Sequence, residues 1–514
     1  MKRISKCVAL FWVFCLGLSA WACDFDDEDG ADVALVLSGG GALTATQVGA
    51  MQIIEELGVP IHCVLGTSMG SVTGAMYVSG YSPKEIEQIY VSKDWGAIFR
   101  GQIDRVDKPY LQKLASDEYF SDYFAGIGPE GVRLPGGLSS MSGLQSTYRD
   151  VFAHIPNATD FDESFRVPFR SVAMDLANGE AVAFDEGDLV QTILASMAVP
   201  GAFAPRNING GLYVDGGMAS QLPVRFAKQM GADIIIAIDT TVEPSPMAGE
   251  PSLTSTTQQI IQITVHRNRQ EDVGMLGPDD LLITPDLTGL SSSNFNLFET
   301  GLESGRVEAR KYIERLKAIA ERAAPSRDRE IDPMQGRIPA GTLELVNTTT
   351  MDDDVIRGRL DIQNSDLDDR AAVDQRLRTL SSFGAFGDID LSQSVDGPYL
   401  KASPRAIGQN LLQGGFRAST TFDGDAQYSI LGRVSRRPIG PRGGEASLSL
   451  QLGTDWGVSL EYYRPLGREG RFFVIPLLNY RSEEVLFDIA DVRIGEFVEK
   501  SAHAHVRVGR ELGR

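Results

Sequence analysis

The sequence has few cysteines and histidines and no excess of positive charge. Its 514 residues include four cysteines and five histidines, and the formal net charge is −21 at pH 7. Because a surface that follows nucleic-acid phosphates needs clustered Lys and Arg, this charge argues against a nucleic-acid partner. The His, Cys and Asp residues are not grouped with metal-ligand spacing, so the sequence predicts no metal site and no cofactor.

Long apolar runs are also missing. Hydrophobic residues make up 42% of the chain, which at this length is typical of a globular protein of two or three domains and not of a bundle of membrane helices. The apolar run from Cys7 to Ala20 follows a basic start and is too short to span a bilayer comfortably. An Ala-x-Ala cleavage site ends at Ala22. Residues 1–22 are therefore predicted to be a secretory signal peptide.

Removal of this signal would leave two cysteines. Cys7 and Cys15 lie within it, whereas Cys23 and Cys63 would remain. Cys23 would become the first residue, which makes it a candidate for lipid modification. We therefore expect an exported protein without a disulfide framework, stabilised by its core.

Strand and helix patterns alternate in the first half of the chain. This order predicts an α/β fold with a parallel sheet and right-handed crossovers. A mostly helical, amphipathic segment at 83–160 is predicted to cap the site, and 240–257 is predicted to be a surface loop. The predicted strands are 33–37, 61–65, 167–173, 212–214 and 234–238, and the predicted helices are 45–57, 71–78 and 303–324.

The rest of the chain is expected to form two further units. Residues 338–402 are predicted to form a small α+β module with a strand, two helices and another strand. In 408–514 apolar and polar residues alternate, as between Ala446 and Leu452. Segments of about ten residues with one apolar face are typical of transmembrane β-strands, although a soluble antiparallel sheet alternates in the same way. The signal peptide, the tyrosines and Trp456 favour membrane strands.

Three short motifs follow predicted strands. Ser68 lies between glycines at a strand–turn–helix junction, where small neighbours allow the sharp turn that exposes a nucleophilic hydroxyl. The backbone N–H groups of a glycine triplet and of Met69 are candidate oxyanion donors. Asp215 ends a strand and becomes a candidate general base if burial raises its pKa. The motifs are Gly39-Gly40-Gly41, Gly66-Thr67-Ser68-Met69-Gly70 and Asp215-Gly216-Gly217.

Two other interpretations of these motifs fit less well. The glycine triplet would also suit a dinucleotide-binding loop, but Thr44 stands where such a loop has its last glycine. A Ser–His–Asp esterase would use His266, the only histidine in a compatible chain order. That fold normally has several strands before its nucleophile, and this chain has two. A Ser–Asp dyad fits better, and His62 within the second strand is expected to be structural.

Further stretches accompany the three motifs: Ala173-Met174-Asp175-Leu176, Ala195-Ser196-Met197-Ala198-Val199-Pro200-Gly201-Ala202-Phe203, Leu222-Pro223-Val224 and Gly231-Ala232-Asp233. With them, residues 33 to about 240 resemble the patatin family of lipid acyl hydrolases. The resemblance implies a three-layer α/β domain over 33–325, with Ser68 as nucleophile, Asp215 as base and Gly39 to Gly41 as oxyanion loop. It implies an exported hydrolase of the phospholipase A or lysophospholipase type, which cleaves lipid esters through an acyl-enzyme.

The chain departs from the patatin pattern after the glycine triplet. The family usually continues with Arg and Gly, where this chain has Leu43 and Thr44. We expect the missing guanidinium to affect the catalytic rate more than the reaction type. This departure from the pattern leaves one alternative open, a catalytically impaired structural or adhesive surface protein.

Residues 338–402 are similar to a POTRA module, and the three-part layout resembles the patatin-type autotransporters of Gram-negative bacteria. The resemblance implies an outer-membrane location, a catalytic unit on the periplasmic or surface side, and the outer-membrane assembly machinery as a partner. Residues 408–514 supply only some six or seven strands, and an open sheet edge is not stable in a membrane. We therefore expect either a longer natural chain or closure with other chains, as in a homo-oligomer.

Overall fold

The structure is a computed structural model that describes most of the chain. The predicted signal peptide lies outside the described residues. Within the described ranges, no helix combines the length and apolar character that a membrane span would require. The described residues are 23, 30–101, 105, 108–119, 125–155, 159–247, 249–325, 329–331, 342–362, 370–394, 397–420, 426–467, 470–489 and 492–511.

The chain begins with two strand–helix units and continues into a cap. The first strand and the first helix lie where they are predicted, and the second strand is displaced by two residues. The prediction of a mostly helical cap is wrong in part, because three short strands interrupt its helices. The elements are β1 (Val33–Leu37), α1 (Ala45–Glu56), β2 (Cys63–Thr67), α2 (Met69–Val78), α3 (Pro83–Ser92), α4 (Trp95–Arg100), α5 (Tyr110–Glu118), β3 (Ala125–Gly128), β4 (Gly131–Arg133), β5 (Gly137–Ser139) and α6 (Ser142–Val151).

The next part of the chain completes the first unit. The predicted loop at 240–257 ends earlier than expected, because a long helix begins at Leu253. The Ser252 hydroxyl caps this helix by accepting a hydrogen bond from the Ser255 N–H. The predicted helix at 303–324 is two helices. The elements are β6 (Thr159–Asp160), β7 (Phe169–Asp175), β8 (Ala181–Phe184), β9 (Glu186–Gly187), α7 (Leu189–Ser196), β10 (Gly201–Phe203), β11 (Arg206–Ile208), β12 (Gly211–Asp215), α8 (Val224–Gln229), β13 (Ile234–Ile238), α9 (Leu253–Val273), β14 (Leu281–Ile283), α10 (Phe298–Arg310) and α11 (Ile313–Arg322).

The central sheet has the strand order β11-β12-β7-β2-β1-β13-β14, with β8 also paired to β7. The five strands from β7 to β14 in this order run parallel, as predicted, whereas β8, β11 and β12 are antiparallel. The predicted parallel sheet is therefore mixed at one edge. This edge contains hairpins, and only antiparallel strands can be joined by tight turns. Asn209 and Gly210 form one such turn with φ values of 51° and 91°, which an Asn-Gly pair adopts readily.

The core lies on both faces of the central sheet. Alternate side chains of β1 enter two different clusters: Val33 and Leu35 pack with α1 and α2 on one face, while Ala34 and Val36 pack near α8 on the other. A strand buried on both faces reads as a continuous apolar run, which is why the sequence predicted β1 so well. The result is a three-layer α/β arrangement.

Cys23 and Cys63 form a disulfide bond, with 5.6 Å between their Cα atoms. The expectation of an exported protein without a disulfide is therefore wrong. Both cysteines are fully buried in the cluster beside α8, and the Cys23 N–H donates to the Met230 carbonyl at 2.8 Å. Since the Cys23 sulfur is engaged in this bond, the structure gives no support to lipid modification there. The bond ties the chain before β1 to the first residue of β2.

The middle module is a three-stranded sheet with two helices. Its strand order is β15-β17-β16, with β15 parallel and β16 antiparallel to β17. Its own apolar cluster includes Ile356, Leu380 and Leu400. The predicted α+β character is confirmed, while the similarity to a POTRA module stays a prediction. The elements are β15 (Glu344–Asn347), α12 (Asp353–Leu360), α13 (Arg370–Ser382), β16 (Phe386–Ser394) and β17 (Gly397–Pro404).

Arg149 on α6 ties the middle module to the first unit. Its guanidinium donates to Asp188, the residue before α7, at 2.7 Å, and to Asp390 on β16 at 2.9 Å and 2.7 Å. Because the guanidinium fork matches two carboxylates at once, these bonds fix orientation as well as distance. The module is thus held against the end of the helix that leads toward the candidate active site.

The last six described strands form an antiparallel sheet in chain order. Unexpectedly, the hairpin β3–β4 of the first unit extends it, through pairing of Leu411 with Gly126 and of Leu412 with Ala125. The predicted strands are present, and a closed barrel is not confirmed. The elements are β18 (Asn410–Thr420), β19 (Ala426–Ile439), β20 (Gly444–Gly453), β21 (Trp456–Leu466), β22 (Phe472–Ile489) and β23 (Val492–Arg510).

The two faces of this C-terminal sheet have an unusual polarity. On β20 the outward residues Leu448, Leu450 and Leu452 are 44%, 47% and 60% exposed. Buried residues on the opposite face include Arg433 and several polar neighbours, and two carboxylates lie 3.4 Å from its guanidinium. Water would favour the reverse arrangement. These buried polar residues are Arg433, Ser435, Arg437, Glu445, Ser447 and Glu461.

Candidate active site

The predicted serine motif forms a sharp turn between β2 and α2. Ser68 has φ of 54° and ψ of −127°, which is a strained conformation for any residue but glycine and is typical of a nucleophile elbow. Ser68 is partly exposed although the residues on either side are buried. A Cβ on Gly66 would lie 2.4 Å from the Gly70 carbonyl oxygen, and one on Gly70 would lie 2.4 Å from that of Ser38. Both glycines are therefore required by close backbone packing.

The structure brings Asp215 to Ser68 across one intervening strand. Thr67 at the end of β2 pairs with Val172 of β7, and Asp215 at the end of β12 pairs with the next residue, Ala173. The Asp215 carboxylate accepts a hydrogen bond from the Gly217 N–H at 2.8 Å, and the nearby Ser68 side chain lowers the pKa of its carboxyl. Two residues that lie far apart in sequence are thus placed at the ends of strands on either side of β7.

Burial changes the acidity of this pair. Asp215 is only 7% exposed, and desolvation raises the pKa of its carboxyl from 3.8 to about 6, although the nearby Ser68 side chain and the Gly217 N–H oppose the shift. A carboxylate with a pKa of about 6 remains mostly ionised at neutral pH. It is also a better proton acceptor than an ordinary aspartate.

The glycine triplet lies against the serine turn. A Cβ on Gly39 would be 3.1 Å from Ser68 Cβ and 2.9 Å from Gln221 Oε1, so only glycine allows this approach. The Gly39 N–H donates to the Gln221 carbonyl at 3.2 Å, and the Gln221 amide donates back to the Gly39 carbonyl at 2.7 Å. Leu43 and Thr44, where the patatin pattern has Arg and Gly, are buried behind the loop.

Residues 35–228 match the family model described as "Patatin-like phospholipase". They form a patatin-like phospholipase domain. An uncharacterized NTE family protein of Mycobacterium tuberculosis is 26% identical over 226 residues, which cover 43% of this chain and 53% of that protein. Lysophospholipase NTE1 of Phaeosphaeria nodorum is 29% identical over 226 residues, which cover 44% and 13%. Patatin-like phospholipase domain-containing protein 6 of Homo sapiens is 28% identical over 213 residues, which cover 41% and 13%.

The chain therefore spans about half the length of the mycobacterial relative and a smaller share of the other two. Among solved structures, the crystal structure of VipD from Legionella pneumophila matches with a TM-score of 0.31 and 16% identity, covering 55% of this chain and 67% of that one.

The patatin-like domain contains one supporting residue that sequence reasoning did not single out. The Ser196 hydroxyl, at the end of α7, accepts the backbone N–H of Ser68 at 2.7 Å and donates to the Val172 carbonyl at 2.5 Å. It thereby fixes the strained turn against β7. Ser196 lies within one of the stretches that carry the patatin resemblance, and this is the signal that could have found it.

His266, the histidine of the alternative triad, contacts a residue of its own helix. His266 on α9 contacts Gln270 at 3.0 Å, and the Asp215 carboxylate accepts the Gly217 N–H at 2.8 Å. His62 accepts the Val33 N–H at 2.9 Å, so the structural role predicted for it is confirmed. In the part of the chain that the structure describes, no cluster of three His, Cys, Asp or Glu residues is suited to a metal ion.

A second buried carboxyl lies close to the site. Asp272 on α9 accepts hydrogen bonds from the Ser220 hydroxyl at 3.1 Å and from the Leu222 N–H at 3.0 Å. Desolvation raises its pKa to about 6 as well. Asp272 therefore supports the chain that follows the Asp215 turn, and it must be distinguished from Asp215 in any titration.

Proposed function

We propose that this protein is an exported serine hydrolase that cleaves carboxylic ester bonds of phospholipids or lysophospholipids with Ser68 and Asp215. The observation that carries the proposal is the strained Ser68 turn close to the buried Asp215 carboxyl, whose pKa burial raises to about 6 while the Ser68 side chain opposes the shift. The patatin-like domain and the similarity to a protein named lysophospholipase support the lipid substrate.

In the proposed reaction, Ser68 Oγ attacks the ester carbonyl carbon while its proton passes to Asp215. The tetrahedral intermediate collapses to an acyl-enzyme as the alcohol leaves with that proton. Water then repeats the sequence and releases the fatty acid. Met69, the first residue of α2, has an N–H without an acceptor inside the helix, and we assign it with the Gly40 and Gly41 N–H groups to the oxyanion. The Gly39 N–H, which already donates to Gln221, contributes less.

The test is fatty-acid release from a lysophospholipid and a phospholipid by wild type, Ser68→Ala and Asp215→Asn. We expect each substitution to lower kcat by about a hundredfold or more, since a positioned base alone contributes roughly 10²–10⁴. His266→Ala should retain activity. Full activity in either dyad variant would remove the dyad, and loss of activity in His266→Ala would favour the esterase triad. Failure of a fluorophosphonate probe to label Ser68 would favour the impaired surface protein.

We further propose that the outward apolar face of the C-terminal sheet contacts lipid. A sheet with leucines outside and a buried Arg433–Glu461 pair inside has the polarity of a lipid-exposed β-structure, and not of a soluble one. On this basis we place the protein in a Gram-negative outer membrane, with the patatin-like domain on its periplasmic or outer side. The Cys23–Cys63 disulfide is consistent with export, because such bonds persist in oxidising compartments.

The membrane proposal is tested with Leu450→Arg, which puts a charge on the outward face. We expect weaker insertion into vesicles, by about 2–4 kcal/mol for a residue near the midplane. Leu253→Arg is the matched control, since Leu253 is 88% exposed but lies on α9 of the first unit. A wild-type protein that stays monodisperse without detergent and does not bind vesicles would contradict the proposal.

A further inference from the structure

A cavity of about 710 Å³ lies where the three parts of the chain meet. It is bounded by α5 and the start of α6, by β16 of the middle module, and by the beginning of the C-terminal sheet. Its size is in the range of small-molecule sites, roughly 300–1,000 Å³. Neither Ser68 nor Asp215 lines it, so it is separate from the candidate active site.

Among the described residues, the charged groups that line this cavity are mainly basic. Only two acidic side chains line it: Asp388, 3.6 Å from Arg206, and Glu445, 3.4 Å from Arg437. Because the chain as a whole carries a net charge of −21, composition alone does not account for this local excess of positive charge. The basic lining residues are Arg100, Lys108, Arg206, Arg405 and Arg437.

Three nitrogen-bearing side chains from different parts of the chain converge beside Gly384. A Cβ at this position would lie 2.7 Å from Gln112 Nε2, 3.0 Å from Arg437 Cζ and 3.2 Å from Arg405 Nη2. Gly384 has φ of +66°, which glycine adopts without strain. The chain therefore brings two guanidinium groups and one amide close to Gly384, and all three of these side chains line the cavity.

The two guanidinium groups repel one another at this point. Burial and the neighbouring charge of Arg437 lower the pKa of Arg405 from 12.5 to about 9, and Glu445 offsets this effect only in part. Glu445 also lies 3.4 Å from Arg433, so its single negative charge is shared among several cations. An anion placed between Arg405 and Arg437 would relieve the repulsion.

We propose that this cavity binds a phosphate-bearing anion between the guanidinium groups of Arg405 and Arg437. Guanidinium groups bind phosphate oxygens with paired, charge-assisted hydrogen bonds, and the Gln112 amide adds a neutral donor. A free phosphate ion and the head group of an anionic phospholipid share this chemistry. The proposal concerns binding alone and does not depend on ester hydrolysis.

The experiment measures binding to the full chain in phosphate-free buffer by titration calorimetry. The probes are inorganic phosphate and, separately, dihexanoyl phosphatidylglycerol below its micelle concentration, with Ser68→Ala as background so that the lipid is not cleaved. We expect dissociation constants of about 1 mM or lower. Arg405→Gln should weaken binding roughly tenfold or more, as expected for loss of hydrogen bonds to a charged group. Arg436→Gln is the matched control, because Arg436 is exposed and adjacent to Arg437.

Each outcome decides the proposal. Binding of either probe that depends on Arg405 but not on Arg436 supports the proposal. If only phosphate binds, the ligand is the free ion, and if only the lipid binds, the ligand is a lipid head group. If both bind, the site recognises the phosphate group that they share. If neither probe binds wild type, or if Arg405→Gln and Arg436→Gln bind equally well, the proposal is overturned. Gln112→Ala removes a donor without removing a charge, and its weaker binding provides the second test if Arg405→Gln does not fold.

Discussion

The pH dependence of hydrolysis gives the sharpest test of the proposed base. Asp215 must be ionised to accept the Ser68 proton, and its pKa is raised to about 6. The ratio kcat/KM, which reports the free enzyme, should therefore be constant above about pH 7 and fall roughly tenfold for each pH unit below about 6. An aspartate with the ordinary pKa of 3.8 would remain about nine-tenths ionised at pH 5. Activity at that pH consequently separates the two cases.

The assay is a quenched measurement of acid released from a short-chain ester between about pH 4 and 8, with folding checked by circular dichroism at each pH. Asp272 is the control, because its pKa is also raised to about 6. In Asp272→Asn the inflection should stay where it is. An inflection near pH 4 in wild type, or one that moves in Asp272→Asn, would refute the assignment of the base.

The raised pKa of Asp215 makes stability change with pH in the direction opposite to activity. Because folding raises the pKa of Asp215 above its unfolded value, the folded state favours the protonated carboxyl. This contribution to stability is fully present below about pH 4 and is lost as the pH rises through about 6. Over the range in which activity rises with pH, this residue alone thus reduces the free energy of unfolding.

Three further predictions concern groups that support the site. Ser196→Ala leaves the Ser68 N–H without its acceptor, which costs about 1–3 kcal/mol. We expect steady-state kinetics to show a kcat about tenfold lower with KM little changed. An unchanged kcat would contradict this. Gly66→Ala places a methyl group 2.4 Å from a backbone oxygen and should lower the free energy of unfolding by about 1–3 kcal/mol or more in a urea titration, whereas Gly432→Ala, where nothing lies within 4 Å, should not. Replacing Cys23 and Cys63 by Ser should cost about 2–4 kcal/mol in the same titration, and free thiols in the unreduced wild type would disprove the bond.

The parts of the fold that the sequence predicted well are those with a strong local signal. β1 and β13 were predicted to the residue, because continuous apolar runs with buried faces on both sides end at a serine or an aspartate. The turn at Ser68 was equally clear, since a serine with a glycine two residues away on either side, between a strand and a helix, is typical of an exposed nucleophile.

The parts that could not be predicted depend on distant contacts. The pairing of β3 with β18 joins Gly126 to Leu411, and no local pattern in either segment indicates such a partner. The Asn209-Gly210 turn, by contrast, was visible in the sequence and marks the antiparallel edge that was missed. For the disulfide, the two remaining cysteines were a pair that could bond, but only the fold shows that their backbones lie 5.6 Å apart.

The proposed site needs no histidine because its aspartate has nearly the basicity of one. Burial alone would raise the pKa of Asp215 further, and a carboxyl protonated at neutral pH could not accept a proton. The nearby Ser68 side chain and the Gly217 N–H oppose this shift and hold the pKa at about 6, close to the value of about 6.5 for an unperturbed imidazole. The carboxylate thus stays mostly ionised at neutral pH while being about a hundredfold more basic than an exposed aspartate. The Gly217 N–H therefore helps to keep the proposed base ionised.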